Sequence, residues 1–97
     1  MKLIHIIIRN DNANKVADAL VANGFYLTRL ASTGGFLRLG NTVFISSIED
    51  DQLDKMMKVI QAHTEVHVEP PSSRLMEETR VSRAVIFVQD MESLHKL

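Results

Sequence analysis

The chain has 97 residues, a formal net charge of −1 at neutral pH and no cysteine. A hydrophobic fraction of 45% and a charged fraction of 24% are typical of a globular protein, and the length fits a single domain over residues 1–97. The balanced charge argues against a binder of nucleic-acid polymers, and the missing cysteines exclude a disulfide framework or a thiolate metal site. The apolar runs are too short for a membrane span or a signal peptide, so we expect a cytoplasmic protein.

The first half of the chain predicts a strand, a helix and two further strands. Lys2–Arg9 is rich in β-branched residues and predicts a buried central strand. The segment NDNAN supplies candidate N-cap residues, and the apolar spacing that follows predicts a helix ending at Gly24 in a left-handed cap. Residues 25–33 and 42–48 predict the second and third strands. The apolar positions of the helix are Ala13, Val16, Ala17 and Leu20.

The second half predicts a helix, a loop and two strands. The acidic segment EDDQ is a helix start, and apolar residues spaced as on one helix face continue to about Ala62. Residues 65–69 predict a short strand, and residues 70–82, which begin with two prolines, predict a flexible loop. Residues 83–89 predict a buried last strand, followed by a short tail.

This order predicts an α+β fold of the ferredoxin-like type, βαββαβ, with an extra C-terminal strand. Its antiparallel sheet carries both helices on one face. Strands such as IHIII and VIFV are apolar on both of their faces, and no third helix is available to cover the second face. We therefore expect a homo-oligomer whose sheets pack together.

The segment LASTGGFLRLGNT holds three of the four glycines, and two interpretations of it remain open. Gly34 and Gly35 serve a turn between strands or a pocket where a ligand approaches the backbone. Phe36 stacks on a base or anchors an interface. The Asn41 amide matches the donor and acceptor of adenine N6 and N7 but not the two acceptors of guanine, although Gly40 and Asn41 also fit a two-residue hairpin turn.

The chain resembles the PII-like cyclic-di-AMP receptors, small trimeric bacterial signalling proteins. The likeness is carried by KLIHIII, NANKVADALV, TRLASTGGFLRLGNTVF, IED and the closing AVIFV. It implies a homotrimer that binds one cyclic dinucleotide in each cleft between subunits. It further implies that Thr28 contacts the ligand, that Gly35, Phe36 and Leu37 cradle an adenine, and that Asn41 hydrogen-bonds an adenine edge.

Three positions depart from the family pattern. Tyr26 stands where the family often has arginine, Ser47 where it has glycine, and Lys96 where it has a ligand-contacting glutamine. The loop before the last strand is about a dozen residues shorter than in the family. We keep Tyr26, Ser47 and Lys96 among the candidate ligand-binding residues.

Alternation along the second strand places Thr28 and Tyr26 on one face and Arg29 on the other, so we favour Thr28 over Arg29 as a ligand contact. His63 and His67 are four residues apart, but they straddle the predicted end of a helix, which argues against a metal site. The acidic residues at 49–51 are explained by their place before a helix. No nucleophile–base pair or phosphate-binding loop motif is present.

These observations lead to one expectation and three alternatives. We expect a non-enzymatic sensor that binds cyclic-di-AMP, has no cofactor or metal, and switches the loop at residues 70–82 toward an unknown downstream protein. The first alternative is a divergent relative that binds another adenine nucleotide or none. The others are a purely structural trimer and a small hydrolase on the same fold.

Overall fold

The computed structural model describes residues 1–30, 40–64 and 84–97. Its elements in chain order are β1 (Lys2–Arg9), α1 (Asn10–Ala22), β2 (Thr28–Arg29), β3 (Asn41–Ile48), a short 3-10 helix (Asp50–Gln52), α2 (Leu53–Ala62) and β4 (Ala84–Asp90). The sheet has the order β2-β3-β1-β4, and each neighbouring pair is antiparallel. This confirms the predicted α+β, ferredoxin-like fold. The strand predicted at 65–69 and the loop predicted at 70–82 lie outside the described residues.

The core lies between one face of the sheet and the two helices. Alternate residues of β1 and β3 are buried on this face, and α1 and α2 cover them with the apolar positions that the helical spacing predicted. Because each buried aliphatic side chain is removed from water, this layer supplies the main driving force for folding. The most completely buried side chains are Ile4, Ile6, Ile8, Val16, Leu20, Met56 and Ile60.

The end of α1 agrees with the sequence prediction. Gly24 has φ +88°, and its N–H donates to the Val21 carbonyl while the Phe25 N–H donates to the Leu20 carbonyl, both at 3.0 Å. This pair of bonds is the Schellman cap, in which glycine takes the left-handed position. Phe25 is buried with Leu20 in the core and closes the cap with an apolar contact.

Two boundaries differ from the prediction. The residue before α1 is Arg9 and not a member of NDNAN; Asn10 is already helical, its N–H donates to the Gly40 carbonyl, and its Oδ1 accepts from Thr42. The second strand, predicted from residue 25, begins at Thr28. The Phe25 N–H is committed to the helix cap and is therefore not available to a strand ladder.

Candidate functional site

Within residues 1–30, 40–64 and 84–97, no helix lies on the face of the sheet opposite α1 and α2, and we call it the open face. On β1 and β3 its residues alternate with the buried ones and are half-buried. At its centre His5 lies between Ile45 on one side and Phe87 on the other, and Phe87 is 53% exposed. The surface is largely apolar, as expected for a region that packs against another molecule. Its further apolar members are Leu3, Ile7, Val43 and Val85.

Thr28 and Arg29 point to opposite sides of the sheet, which confirms the prediction from alternation. Thr28 pairs with Ile45 and so belongs to the open face. Arg29 pairs with Phe44 on the helix side, where its guanidinium lies 5.1 Å from the Phe44 ring centroid and donates to Asn14 Oδ1 at 2.8 Å. Arg29 is therefore occupied by contacts with α1 and β3, whereas the exposed Thr28 is free to meet a ligand.

Tyr26 and Lys96 contact each other at the end of the sheet where Ser47 lies on the open face. Ser47 pairs with Leu3 near the beginning of β1. The neighbouring Ser46 hydroxyl donates to the Tyr26 carbonyl at 2.6 Å, which fixes the backbone of Tyr26 against β3. The Lys96 Nζ lies 4.9 Å from the centroid of the Tyr26 ring. The structure thus joins two of the three positions at which the chain departs from its family's pattern, Tyr26 and Lys96, and places Ser47 one residue from the Ser46 hydroxyl that binds the Tyr26 carbonyl.

Asn41 lies at the other end of the same face. It is the first residue of β3, is half-buried and pairs with Arg9 at the end of β1. The alternative of a two-residue hairpin turn at Gly40 and Asn41 is wrong, because Asn41 is a paired strand residue and β2 meets β3 in the register of Thr28 with Ile45. Gly40, with φ +81°, precedes the strand in the left-handed conformation.

The described candidates on the open face are therefore spread along it, with Asn41 at one end, Thr28 beside the central Ile45 and Ser47 toward the other end. Asn41 and Ser47 are six residues apart in one strand, a separation of roughly 20 Å at the usual rise per residue. No single adenine contacts both ends of such a strand. The remaining candidates, Gly35, Phe36 and Leu37, lie outside the described residues.

The alternative sites weighed in the sequence have structural roles in the part of the chain that the structure describes. The Nδ1 of His63 at the end of α2 lies 2.9 Å from the Val59 carbonyl, while His67 lies outside the described residues. Gln52 accepts from the Glu49 N–H at 3.0 Å, as in a helix cap. No group of three or more His, Cys, Asp or Glu within residues 1–30, 40–64 and 84–97 is placed to hold a metal ion.

Asp50, one of the acidic residues at 49–51, forms an ion pair with the N-terminus of the chain. Asp50 Oδ1 accepts from the N-terminal ammonium of Met1 at 2.9 Å. This hydrogen bond is the main reason that the pKa of the ammonium is raised above its usual 8.0 and the pKa of Asp50 is lowered below its usual 3.8. The pair accounts for Asp50 without a bound cation.

The contact between Tyr26 and Lys96 was not foreseen from the sequence. The two residues lie near opposite ends of the chain, and no periodicity or motif relates them. Only the strand order, which brings the end of β4 to the same end of the sheet as the start of β2, places them together.

Comparison with known proteins identifies the family. A model of the cyclic-di-AMP receptor family matches residues 1–97, the whole chain. The chain belongs to the cyclic-di-AMP receptor family. This confirms the resemblance found in the sequence, and it assigns the chain to a family of receptors that bind and report a nucleotide.

A solved structure supports the same fold. The chain is similar to a functionally unknown protein from Pediococcus pentosaceus ATCC 25745, with a TM-score of 0.74 and 25% sequence identity. The similarity covers 99% of this chain and 96% of that protein, so the four strands and two helices belong to one shared architecture. Among the described residues, no helix is long and apolar enough to cross a membrane.

Proposed function

We propose that this receptor is a PII-like sensor that binds cyclic-di-AMP in clefts between the subunits of a homotrimer. The observation that carries the proposal is the match of the entire chain to the cyclic-di-AMP receptor family. The proposed contacts are Tyr26, Thr28, Gly35, Phe36, Leu37, Asn41, Ser47 and Lys96. The proposed setting is the bacterial cytoplasm.

The shape of the open face supports a site between subunits. Asn41 stands at one end of the face and Ser47 at the other, so one adenine reaches only one of them on a given subunit. A second copy packed against the open face would place the Ser47 end of its own sheet beside the Asn41 end of the first copy. We therefore assign the open face to contact with another copy of the chain. Such packing would cover the apolar centre of the face, and the two copies together would form the ligand pocket.

The proposed output is a change in the loop at residues 70–82, which lies outside the described residues. Ligand binding would favour one arrangement of this loop and so alter its contacts with a downstream protein. In this scheme the chain is not an enzyme, and the cyclic dinucleotide is a signal that is released unchanged.

Calorimetric titration with cyclic-di-AMP and, separately, cyclic-di-GMP tests the proposal. We expect one cyclic-di-AMP bound per subunit and markedly weaker binding of cyclic-di-GMP, since the Asn41 amide offers one donor and one acceptor to a base edge. Absence of heat and of a thermal shift at high micromolar cyclic-di-AMP would refute the proposed ligand.

A matched pair of variants tests the role of Asn41. Asn41→Asp removes the amide donor, and we expect affinity to fall by about tenfold to a hundredfold, the usual range for a lost bidentate contact to a base. Asn14→Asp adds the same charge on the exposed side of α1, where the carboxylate still accepts from Arg29, and should bind like the wild type. Equal losses in the two variants would indicate a general effect of charge and not a contact to adenine.

A second candidate function rests on Ser47, whose Cβ and hydroxyl occupy a half-buried position on the open face. If these atoms narrow the pocket, the chain would bind another adenine nucleotide, or none. Ser47→Gly discriminates the two cases: a gain in cyclic-di-AMP affinity favours this second function, and unchanged affinity favours the first.

A further inference from the structure

His5 lies at the centre of the open face, and its ring is half-buried in the single chain. On the paired strands of the described sheet, the ionisable side chains of this face are His5 and Arg9. Arg9 ends β1 four residues away, roughly 13 Å at the usual rise per residue, and arginine stays charged at every pH that a folded protein meets. A change of charge on these strands of the face between pH 5 and pH 8 therefore comes from His5.

Within the strands that the structure describes, the residues around His5 offer no partner for a positive charge. Leu3 and Ile7 flank it on the same face of β1. The side chains that face it from the neighbouring strands are apolar or uncharged: Val43, Ile45 and Ser47 from β3, and Val85, Phe87 and Gln89 from β4. Asp90, the carboxylate that ends β4, is paired with Lys2 in the register of the helix-covered face. A protonated His5 ring in the single chain therefore depends on water.

We propose that His5 makes assembly of the receptor sensitive to acid. Copies of the chain associate through the open face while the imidazole is neutral, and protonation of the ring separates them. This inference rests on the proposed function, in which the open face meets another copy, and it names how that same site is regulated.

The direction of the effect follows from the surroundings of the ring. Packing of a second copy removes His5 from water, which is costly for a charged ring among apolar side chains and much less costly for a neutral one. In a symmetric assembly every copy brings its own His5 to the shared face, so the charged rings also repel one another. The contribution of His5 to association is therefore present above about pH 6.5, the usual midpoint for histidine, and is lost as pH falls below it.

Acid would then also weaken binding of the ligand, since the proposed pocket lies between copies. The loss should be largest at subunit concentrations near the dissociation constant of the assembly. Cyclic-di-AMP binds the assembled form, so saturating ligand should move the acid-induced dissociation to lower pH by mass action.

Sedimentation velocity at pH 7.5, 6.5 and 5.5 and constant ionic strength tests the role of His5 in the full chain. An unperturbed histidine is about 10% protonated at pH 7.5 and about 90% at pH 5.5, so the dissociation constant should rise about tenfold for each His5 that assembly buries. His5→Leu and His5→Gln cannot gain this proton and should associate equally at the three pH values. His63→Gln removes an exposed histidine at the end of α2 and should keep the acid response of the wild type. Circular dichroism at pH 5.5 checks that each chain is folded.

The outcomes separate this inference from the proposed function. A wild-type assembly that is equally stable at pH 7.5 and pH 5.5 would overturn the role of His5 and leave the proposed function in place. The same holds if both His5 variants lose association in acid as the wild type does, because another group would then be responsible. A wild type that stays monomeric at every pH would overturn the proposed assembly itself.

Calorimetric titration with cyclic-di-AMP at pH 7.5 and pH 5.5 provides a second readout at low subunit concentration. Affinity should fall in acid for the wild type and for His63→Gln, and it should stay constant for His5→Leu. Equal losses in the wild type and His5→Leu would contradict a link between His5 and the ligand pocket.

Discussion

Gly24 carries the turn from α1 toward β2 in a conformation that other residues rarely adopt. Its φ is +88°, and a Cβ built at this position would meet no atom within 4 Å. The requirement for glycine is therefore conformational and not steric. For this reason the sequence identified Gly24 correctly: a glycine directly after a helical apolar pattern is the usual left-handed cap.

We predict that Gly24→Ala lowers the free energy of unfolding by about 1–2 kcal/mol, the cost of a left-handed conformation for a residue with Cβ. Gly24→Asn should cost less, because asparagine tolerates this conformation better. Urea denaturation monitored by circular dichroism measures both variants. Equal losses in the two would mean that contacts of the added side chain, and not backbone conformation, decide the effect.

The pair formed by Met1 and Asp50 predicts a dependence of stability on pH. The pKa of Asp50 is lowered in the fold, so its contribution is present above its usual 3.8 and is lost as pH falls through the folded value. The pKa of the ammonium is raised above its usual 8.0, so its contribution is present below pH 8.0 and is lost as pH rises through the folded value.

Thermal melts between pH 3 and pH 10 should therefore show a small loss of stability at each end of this pH range. Asp50→Asn should abolish both losses. Both groups are exposed, so the effect on the melting temperature should be small and should shrink with added salt. Asp51→Asn, which removes a neighbouring charge of the same kind, should keep both losses. A wild-type profile with the same shape as that of Asp50→Asn would contradict the prediction.

Helix α2 shows what the spacing of apolar residues predicts and what it does not. In α2, Met56 and Met57 are adjacent in sequence, but Met56 is fully buried and Met57 only half-buried. A helix turns 100° per residue, so neighbouring residues meet different surroundings. The spacing of apolar residues was sufficient to place the helix from Leu53 to Ala62, but it did not rank the two methionines.

We predict that Met56→Ala destabilises the fold by about 2–5 kcal/mol, the usual range for a large buried side chain replaced by alanine. Met57→Ala should cost clearly less, because part of its side chain stays in water in either variant. Paired urea melts of the two variants provide the measurement. A larger loss in Met57→Ala would require a different orientation of α2.

The strands show which features of the fold the sequence predicted and which it did not. β1 and β4 were predicted to within a residue or two, since short apolar runs bounded by polar residues are typical of buried strands. The beginning of β2 was missed because Phe25 has strand-like character but serves the helix cap. The candidate residues were named individually, yet their positions along the open face depend on strand register, which no local pattern contains.

At the scale of the whole molecule, the open face determines the expected assembly. Ile45 lies at its centre between His5 and Thr28 and is half-buried in the single chain. In a monomer, a charged side chain at this position would be in contact with water and would be tolerated. Buried against another copy of the chain, the same charge would destabilise the assembly. A charged substitution of Ile45 should therefore disrupt association and leave folding intact.

We predict that Ile45→Lys is a folded monomer, whereas the wild type forms the proposed oligomer. Val21→Lys places the same charge at an exposed position on α1 and should leave the oligomer intact. Sedimentation velocity gives the masses, and circular dichroism checks the fold. A wild-type chain that sediments as a monomer at all concentrations would refute the proposed trimer.

The central place of β1 also has a consequence for synthesis of the protein. β1 leaves the ribosome before both of its partner strands, Asn41–Ile48 on one side and Ala84–Asp90 on the other. The nascent chain cannot complete the described sheet until Ala84–Asp90 has been translated, so β1 lacks one of its two neighbours until then. A chain cut short before β4 would leave one edge of its most apolar strand without this partner, and such an edge promotes aggregation.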